Sequence, residues 1–404
     1  MTATSSETSG VALPRPYLVW LGGATASQFG DAALYFALGW AASGHGPTAA
    51  GLVLSAIALP RTVLLLLGGA VGDRWGARQV MIVGDSVMLV VAMVLAIVSG
   101  VVGAPLALLI VSALIIGTND AFYLPSAGSM PRRLVADGQL SRAVALRQSG
   151  SQMVGLAGPP IGGVLVAFAG LPAASWVDAA TFAIVLVVLI AIRPAFDPPE
   201  PRQRKQILRE AAEGVQIAFT TAGLGPALLL VAGATGFVLP FASILIPLLS
   251  RSHGWGPAGA GVLVGVQSAG TIVVTLAIGK WGTLARPGVI AAGALVVTGV
   301  GQVTVSLAPD VPFACIGAAL VGIGSGVFVG HLSPVLLGAA PKTHLARVQA
   351  ILSLVQSTTL LVTNNVLGGV AGGFGPVTAM FVCAGVLFAC ATVGVASPGI
   401  REIT

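Results

Sequence analysis

Gly69-Ala70-Val71-Gly72-Asp73-Arg74-Trp75-Gly76-Ala77-Arg78 is a compact, charged, glycine-rich stretch wedged between two long apolar runs. Charges confined so tightly between apolar segments predict a short hairpin at a membrane surface, joining the second apolar run to the third. The composition agrees. Of 404 residues, 56% are hydrophobic and only 8% charged, with a mean hydropathy of +0.98, whereas a soluble domain carries about 25% charged residues. A span needs roughly 20 apolar residues, so a chain of this length holds about a dozen spans and little else.

Working outward from the hairpin, apolar runs at about 17–43, 47–71, 79–101, 105–130, 141–169 and 172–193 predict six helices. Runs at about 225–250, 257–282, 286–307, 311–338, 344–371 and 374–397 predict six more. Between the sets lies the one sizeable connection, rich in proline (Pro198, Pro199, Pro201) and basic residues. The expected organisation is an N-terminal tail over 1–16, a six-helix bundle over 17–193, a linker over 194–223, a second bundle over 224–397 and a tail over 398–404. The halves also echo one another. Pro131, Arg142-Ala-Val-Ala-Leu and Gly162-Gly163-Val164 recur as Pro341, Arg347-Val-Gln-Ala-Ile and Gly368-Gly369-Val370, displaced by 205 to 210 residues. The fold class expected is therefore an all-α polytopic membrane protein with twelve helices in two pseudo-symmetric bundles. Parallel repeats of this kind place a substrate site between the halves near the midplane.

The net charge of +6 invites an anionic partner, but the positions of the charges decide otherwise. Arg74, Arg78, Arg132, Arg133, Arg142, Arg202, Arg204, Lys205, Lys280, Arg286, Lys342 and Arg347 all fall on alternate connections, with Arg251 the clear exception. Basic residues collect on the cytoplasmic side, so both termini are expected there, in a multi-pass cell membrane protein, and nucleic acid is not an expected partner. Residues 1–10 are polar and lack the basic start of a signal peptide. Cys315, Cys383 and Cys390 lie in apolar runs without metal-ligand spacing, and the four histidines show no zinc pattern. No metal site or cofactor is expected. The absence of a phosphate-cradling GKS/T loop argues against ATP hydrolysis, and no clustered acids, histidines or metal ligands suggest an enzyme.

Gly69, Asp73, Arg74, Gly76 and Arg78 fall on the pattern G-x-x-x-D-R-x-G-x-R. This resembles the signature of the major facilitator superfamily, although Ala77 stands where that family usually carries a basic residue. The resemblance implies a secondary transporter in which this loop gates conformational change, with Asp73 as a latch and Asp85 expected to join Arg74 or Arg78. Gly158-Pro159-Pro160-Ile161-Gly162-Gly163 resembles the core of a motif in the superfamily's drug and metabolite antiporters, with Val154 departing from it, and it favours export. Asn119-Asp120-Ala121-Phe122-Tyr123-Leu124-Pro125-Ser126 and Met130-Pro131, with Gly30-Asp31 and Asp178-Ala179, resemble the enterobactin-exporter and macrolide-efflux branch.

An ionisable side chain at the centre of a span costs about 2.5–3.5 kcal/mol on insertion scales, so the few present are functional candidates. Asp31 lies inside the first helix, Arg61 in the middle of the second, Asn119 and Asp120 in the inner half of the fourth. An acid and a base within reach of one another form a proton-sensitive pair. Asp31 is expected to carry the coupling with Arg61 as its modulator; the bland alternative is a helix lock with Arg61 or a hydrogen bond to Gln28. Asp178 is expected near the outer surface. The function expected is proton-coupled efflux of a hydrophobic drug, siderophore or secondary metabolite by alternating access, the partners being that substrate, protons and lipid, and the chain a monomer. The alternative is a proton-coupled symporter or uniporter importing a small nutrient and, behind it, a membrane-embedded lipid-modifying enzyme. Gln267, Gln302, Gln356, Asn364 and Asn365 are further candidates for the cavity wall.

Overall fold

The computed structural model describes residues 12–192, 224–339 and 345–401. The expected linker and both tail ends lie outside the described residues. Among those described, nine stretches are long and apolar enough to cross a membrane by length and composition. The longest, Leu140–Ala191, is two helices: the backbone leaves helical geometry at Ala169 and at Gly170, where φ is 67°. Two further long helices are Arg15–Ser43 and Leu345–Phe374. Polar residues interrupt the apolar run of each, Ser27, Gln28 and Asp31 in the first and Gln356, Thr359, Thr363, Asn364 and Asn365 in the second.

The described chain thus makes twelve long helices: α1 Arg15–Ser43, α2 Pro47–Trp75, α3 Ala77–Val102, α4 Leu106–Leu134, α5 140–168, α6 171–191, α7 224–252, α8 Gly256–Trp281, α9 Pro287–Ser306, α10 Val311–Ala339, α11 Leu345–Phe374 and α12 Pro376–Ala396. The hairpin is tighter than the hydropathy pattern suggests. Asp73, Arg74 and Trp75 belong to the last turn of α2, and the turn itself is the single residue Gly76 at φ 86°, ψ 126°. An L side chain rarely adopts a positive φ, so glycine is what permits so abrupt a reversal. Likewise α4 continues through Pro131, so Arg132 and Arg133 occupy its last turn rather than a loop. Basic residues there complement the unpaired carbonyls of a helix C-terminus.

In α7, the residues after Pro240 form a π-turn over Phe241–Leu245. Proline removes an N–H and crowds the preceding carbonyls, and a π-turn absorbs the mismatch. The bulge keeps Phe241, Ile244 and Leu245 fully buried.

The halves touch at the end of the bundle away from the chain termini. At α2 and α11, Asn365 Nδ2 donates to Ser55 Oγ at 2.7 Å. At α5 and α8, a Cβ on Gly163 would lie 2.6 Å from the Gly261 Cα, so only glycine lets these backbones meet. At α1 and α7, the Arg251 guanidinium donates through Nε to Ser43 Oγ and through Nη2 to the Trp40 carbonyl, both at 2.7 Å. Its carbon also stacks 4.1 Å from the centre of the Trp40 ring. Toward the opposite end, α4 packs on helices of its own half and makes no extensive contact with α10 or α11 among the described residues.

Candidate functional site

The intramembrane charges of the first half converge on one place inside its bundle. Tyr35 lies four residues after Asp31, one turn along the same face of α1. Its hydroxyl donates to Asp120 Oδ2 of α4 at 2.9 Å. Asp31 is within electrostatic reach of Asp178, Asp120 and Asp85. The charge of Arg61 on α2 acts on Asp120 and on Tyr35, and the Arg61 Nε has no hydrogen-bond partner. Three sequence candidates, Asp31, Arg61 and Asp120, are therefore brought together, with Tyr35 bonded to Asp120 and one turn from Asp31.

The packing explains how carboxylates come so close. A Cβ on Gly30 would lie 2.5 Å from an oxygen of Asp178 and 3.1 Å from its Cα. Glycine at position 30 is what lets α6 press Asp178 against α1 beside Asp31. Two turns into α6, Asp178 is wholly buried, and neither carboxylate oxygen has a hydrogen-bond partner. The fourth candidate, Asn119, packs against α3, its Oδ1 lying where a Cβ on Gly84 would be 2.6 Å away. Next along α3 is Asp85, also fully buried, with the Tyr123 hydroxyl in reach. Asp31, Tyr35, Arg61, Asn119, Asp120 and Tyr123 each keep some accessible surface, whereas Asp85 and Asp178 keep none. The site has an accessible face and a sealed back.

The gating residues separate into two groups. Gly69 and Asp73 lie on the last turns of α2, the Asp73 side chain being outside the described residues, and Arg74 is exposed beside them. Arg78 does not join Asp85. Its Nε donates to the Leu189 carbonyl at 2.8 Å and its Nη2 to that of Ile190 at 2.9 Å, fastening the start of α3 to the C-terminal turn of α6. The geometric reason is that Arg78 is at the first turn of α3 while Asp85 lies two turns deeper, against α4.

The glycine–proline stretch of α5 shows two faces. Gly158 and Gly162 pack on Ala32 and Ala33 of α1, the residues next to Asp31, while Gly163 meets Gly261 and Pro160 meets Gly265 of α8. Pro159 lies between, inside the helix. This segment is in contact with both the charged helix of one half and the opposite half. Nearby, Ser151 of α5 donates to Gln28 Oε1 at 2.9 Å, so the Gln28 carbonyl oxygen is engaged by α5.

The second half contributes a neutral cavity of about 360 Å³, bounded by α7, α8, α9, α10 and α11, with Gln267 and Gln356 in its wall. The other amides expected there lie elsewhere. Gln302 is fully buried and donates to the Phe237 carbonyl at 2.9 Å. Asn364 and Asn365 belong to the α2–α11 seam, where the chain halves meet. His331, also buried, accepts from the Leu284 N–H at 3.2 Å and contacts the Val327 carbonyl at 2.9 Å, a structural tie between α10 and the α8–α9 connection.

Against this geometry stand the comparisons with known proteins. The Major Facilitator Superfamily profile matches residues 20–248, more than half of the chain. The chain belongs to the Major Facilitator Superfamily. Solved structures with the same fold include a POT family transporter in complex with 5-aminolevulinic acid, at 14% identity and TM-score 0.76, covering 96% of this chain and 97% of that one. The nucleoside transporter NupG matches at 12% identity and TM-score 0.73, covering 95% and 99%. A bacterial homologue of the human lysosomal transporter Spinster, captured inward-facing and unoccupied, matches at 14% identity and TM-score 0.76, covering 97% and 98%. No curated protein matches by sequence. At such identities the likeness shows the major facilitator fold alone, and with the family match it makes this chain a multi-pass membrane protein of transporter type.

Proposed function

We propose that this major facilitator protein is a proton-coupled exporter of a hydrophobic or amphipathic small molecule, working by alternating access with both termini in the cytoplasm. The observation that carries the reading is the Tyr35–Asp120 hydrogen bond beside Arg61 and one helical turn from Asp31, inside a membrane-spanning bundle with an accessible face. Buried carboxylates gathered around one arginine are costly in a membrane unless they exchange protons or bind a cation. The α5 stretch around Gly158 and Gly163 supports coupling to conformational change, because it touches both Asp31's neighbours and the opposite half. Its likeness to antiporter sequences supports export. On this reading, which puts the basic residues inside, the end at which the halves meet faces outward and the opposite end inward.

The test is transport by purified protein in proteoliposomes under an imposed pH gradient, wild type against Asp31→Asn. Asparagine keeps the shape of the side chain but cannot titrate. The variant is expected to lose accumulation against a gradient, by tenfold or more, while still exchanging substrate downhill. Accumulation with unchanged pH dependence in the variant would remove Asp31 from coupling, and proton-driven uptake in the opposite direction would make the protein an importer.

A further inference from the structure

We infer that the substrate of this transporter is an uncharged, mostly apolar molecule carrying a hydrogen-bond donor, and that it is held in the cavity of the second half by Gln267 and Ser325. The inference rests on the transporter reading given above and assigns it a substrate class. The cavity, about 360 Å³, falls in the range of small-molecule sites and is equivalent to roughly a dozen waters at about 30 Å³ each. Its wall includes Val231, Val238, Leu295, Phe328 and Leu332, and among the described residues no ionisable side chain. A charged ligand entering it would shed water without meeting a counter-charge.

Several polar atoms in this wall are left able only to accept. Thr271 Oγ1 points its proton at the Gln267 and Gly322 carbonyls, 3.1 Å from each, and Thr298 Oγ1 at the Ala294 carbonyl, also 3.1 Å. A hydroxyl that spends its proton on the backbone has only lone pairs left for a ligand. Gln267 Oε1 has no partner in a side chain that is 9% exposed, and Ser325 Oγ has none either. Buried polar atoms are seldom left unpaired, and a ligand N–H or O–H would satisfy Gln267 Oε1, which can only accept, while the Ser325 hydroxyl can take either role. The backbone beneath is fixed, since Gly322 on α10 lets that helix press directly on the Gln267 carbonyl of α8. The carboxylates, meanwhile, lie in the other half, on α1, α3, α4 and α6, so the sites for proton and substrate are separate.

Equilibrium dialysis against protein in lipid nanodiscs, with empty nanodiscs as the blank, tests this with three probes: N-phenyl-1-naphthylamine, neutral with one N–H; its N-methyl analogue, which has none; and the tetraphenylphosphonium cation. The amine should bind saturably and about fivefold more tightly than the N-methyl analogue, the worth of one neutral hydrogen bond, and more tightly than the cation. Gln267→Leu should erase the amine's advantage and leave the analogue unchanged, with Ser325→Ala as a second, smaller perturbation should the first variant fail to fold. Absence of saturable amine binding, equal affinity for amine and analogue, or tighter binding of the cation each overturns the inference. No gradient is applied, so failed proton-driven transport with intact amine binding would strike the coupling reading and leave the substrate class standing.

Discussion

Gly163→Ala adds one methyl group at the α5–α8 seam, and the structure sets what it must do. The new Cβ would lie 2.6 Å from the Gly261 Cα and 3.3 Å from the Pro257 carbonyl oxygen, whereas carbon atoms rest at about 3.5–4.0 Å. The obstruction is backbone, so no side chain can swing aside and the helices must part by about 1 Å. Overpacking of this kind costs roughly 1–3 kcal/mol. The cost falls only on the state in which the seam is closed, so the equilibrium should move toward the seam-open state by about 5- to 150-fold. Gly155→Ala on the same helix is the control, because its Cβ would meet nothing within 4 Å. Spin labels at Phe168→Cys and Val262→Cys, positions 88% and 48% exposed, read the distance across the seam once Cys315, Cys383 and Cys390 have been replaced. Pulsed electron-electron resonance should show a longer-distance population growing in Gly163→Ala alone. If its distance distribution coincides with that of Gly155→Ala, the seam is not the contact that holds this end shut.

Three other perturbations address separate links. Arg251→Lys keeps the charge but cannot reach Ser43 and the Trp40 carbonyl together; with hydrogen bonds to charged groups worth about 1.5–3 kcal/mol, the same spin-label pair should show opening by tenfold or more, and an unchanged distribution would reduce Arg251 to a surface charge. Asp178→Asn leaves the packing on Gly30 in place and removes one ionisable oxygen pair beside Asp31, so the pH profile of transport should shift; a profile identical to wild type would make Asp178 a packing group. Cysteines introduced at Thr48 and Gly256 should react with an impermeant maleimide from outside intact cells and one at Gln203 only after permeabilisation, and the reverse pattern would invert the orientation.

How much of this was legible in the sequence depends on which physical signal each feature carries. Most spans follow from apolar runs, because a lipid environment constrains every residue of a span, whereas Gln28 and Asp31 lower the hydropathy of Arg15–Ser43. The exact turn at Gly76 was less visible: Asp73 and Arg74 look like loop residues by charge, yet a helix end tolerates them at the membrane surface. Asp31, Arg61 and Asp120 stand out because charge within an apolar run is conspicuous. Tyr35 and Tyr123 do not, since tyrosine is at home in any span. Their spacing was the missing signal, Tyr35 one turn beyond Asp31 and Tyr123 three residues beyond Asp120. What no spacing in one chain could give is the proximity of Asp178 to Asp31. That depends on α6 meeting α1 at Gly30, a tertiary contact recorded in sequence only as one glycine among 55.

The placement of that contact ties chemistry to motion. Along α1, Gly30 admits Asp178 from α6, Ala32 and Ala33 receive Gly158 and Gly162 from α5, and Trp40 and Ser43 receive Arg251 from α7. One helix therefore carries the acid, the surface on which α5 rests and half of the clamp between the chain halves. A change of charge at Asp31 alters the repulsion between α1 and α6 within a close-packed interface, where helices move as rigid bodies rather than by local yielding. The motion available to α1 is a tilt against α5, and α5 is the helix whose Gly163 seals against α8. A tilt of α1 would also draw Trp40 away from Arg251, so the α5–α8 seam and the α1–α7 clamp should release together. This coupling requires that Gly163→Ala and Arg251→Lys act on one equilibrium. Combined in a single chain, the two substitutions should then open the seam by the product of their separate factors, and two independently opening contacts would show instead as distinct distance populations.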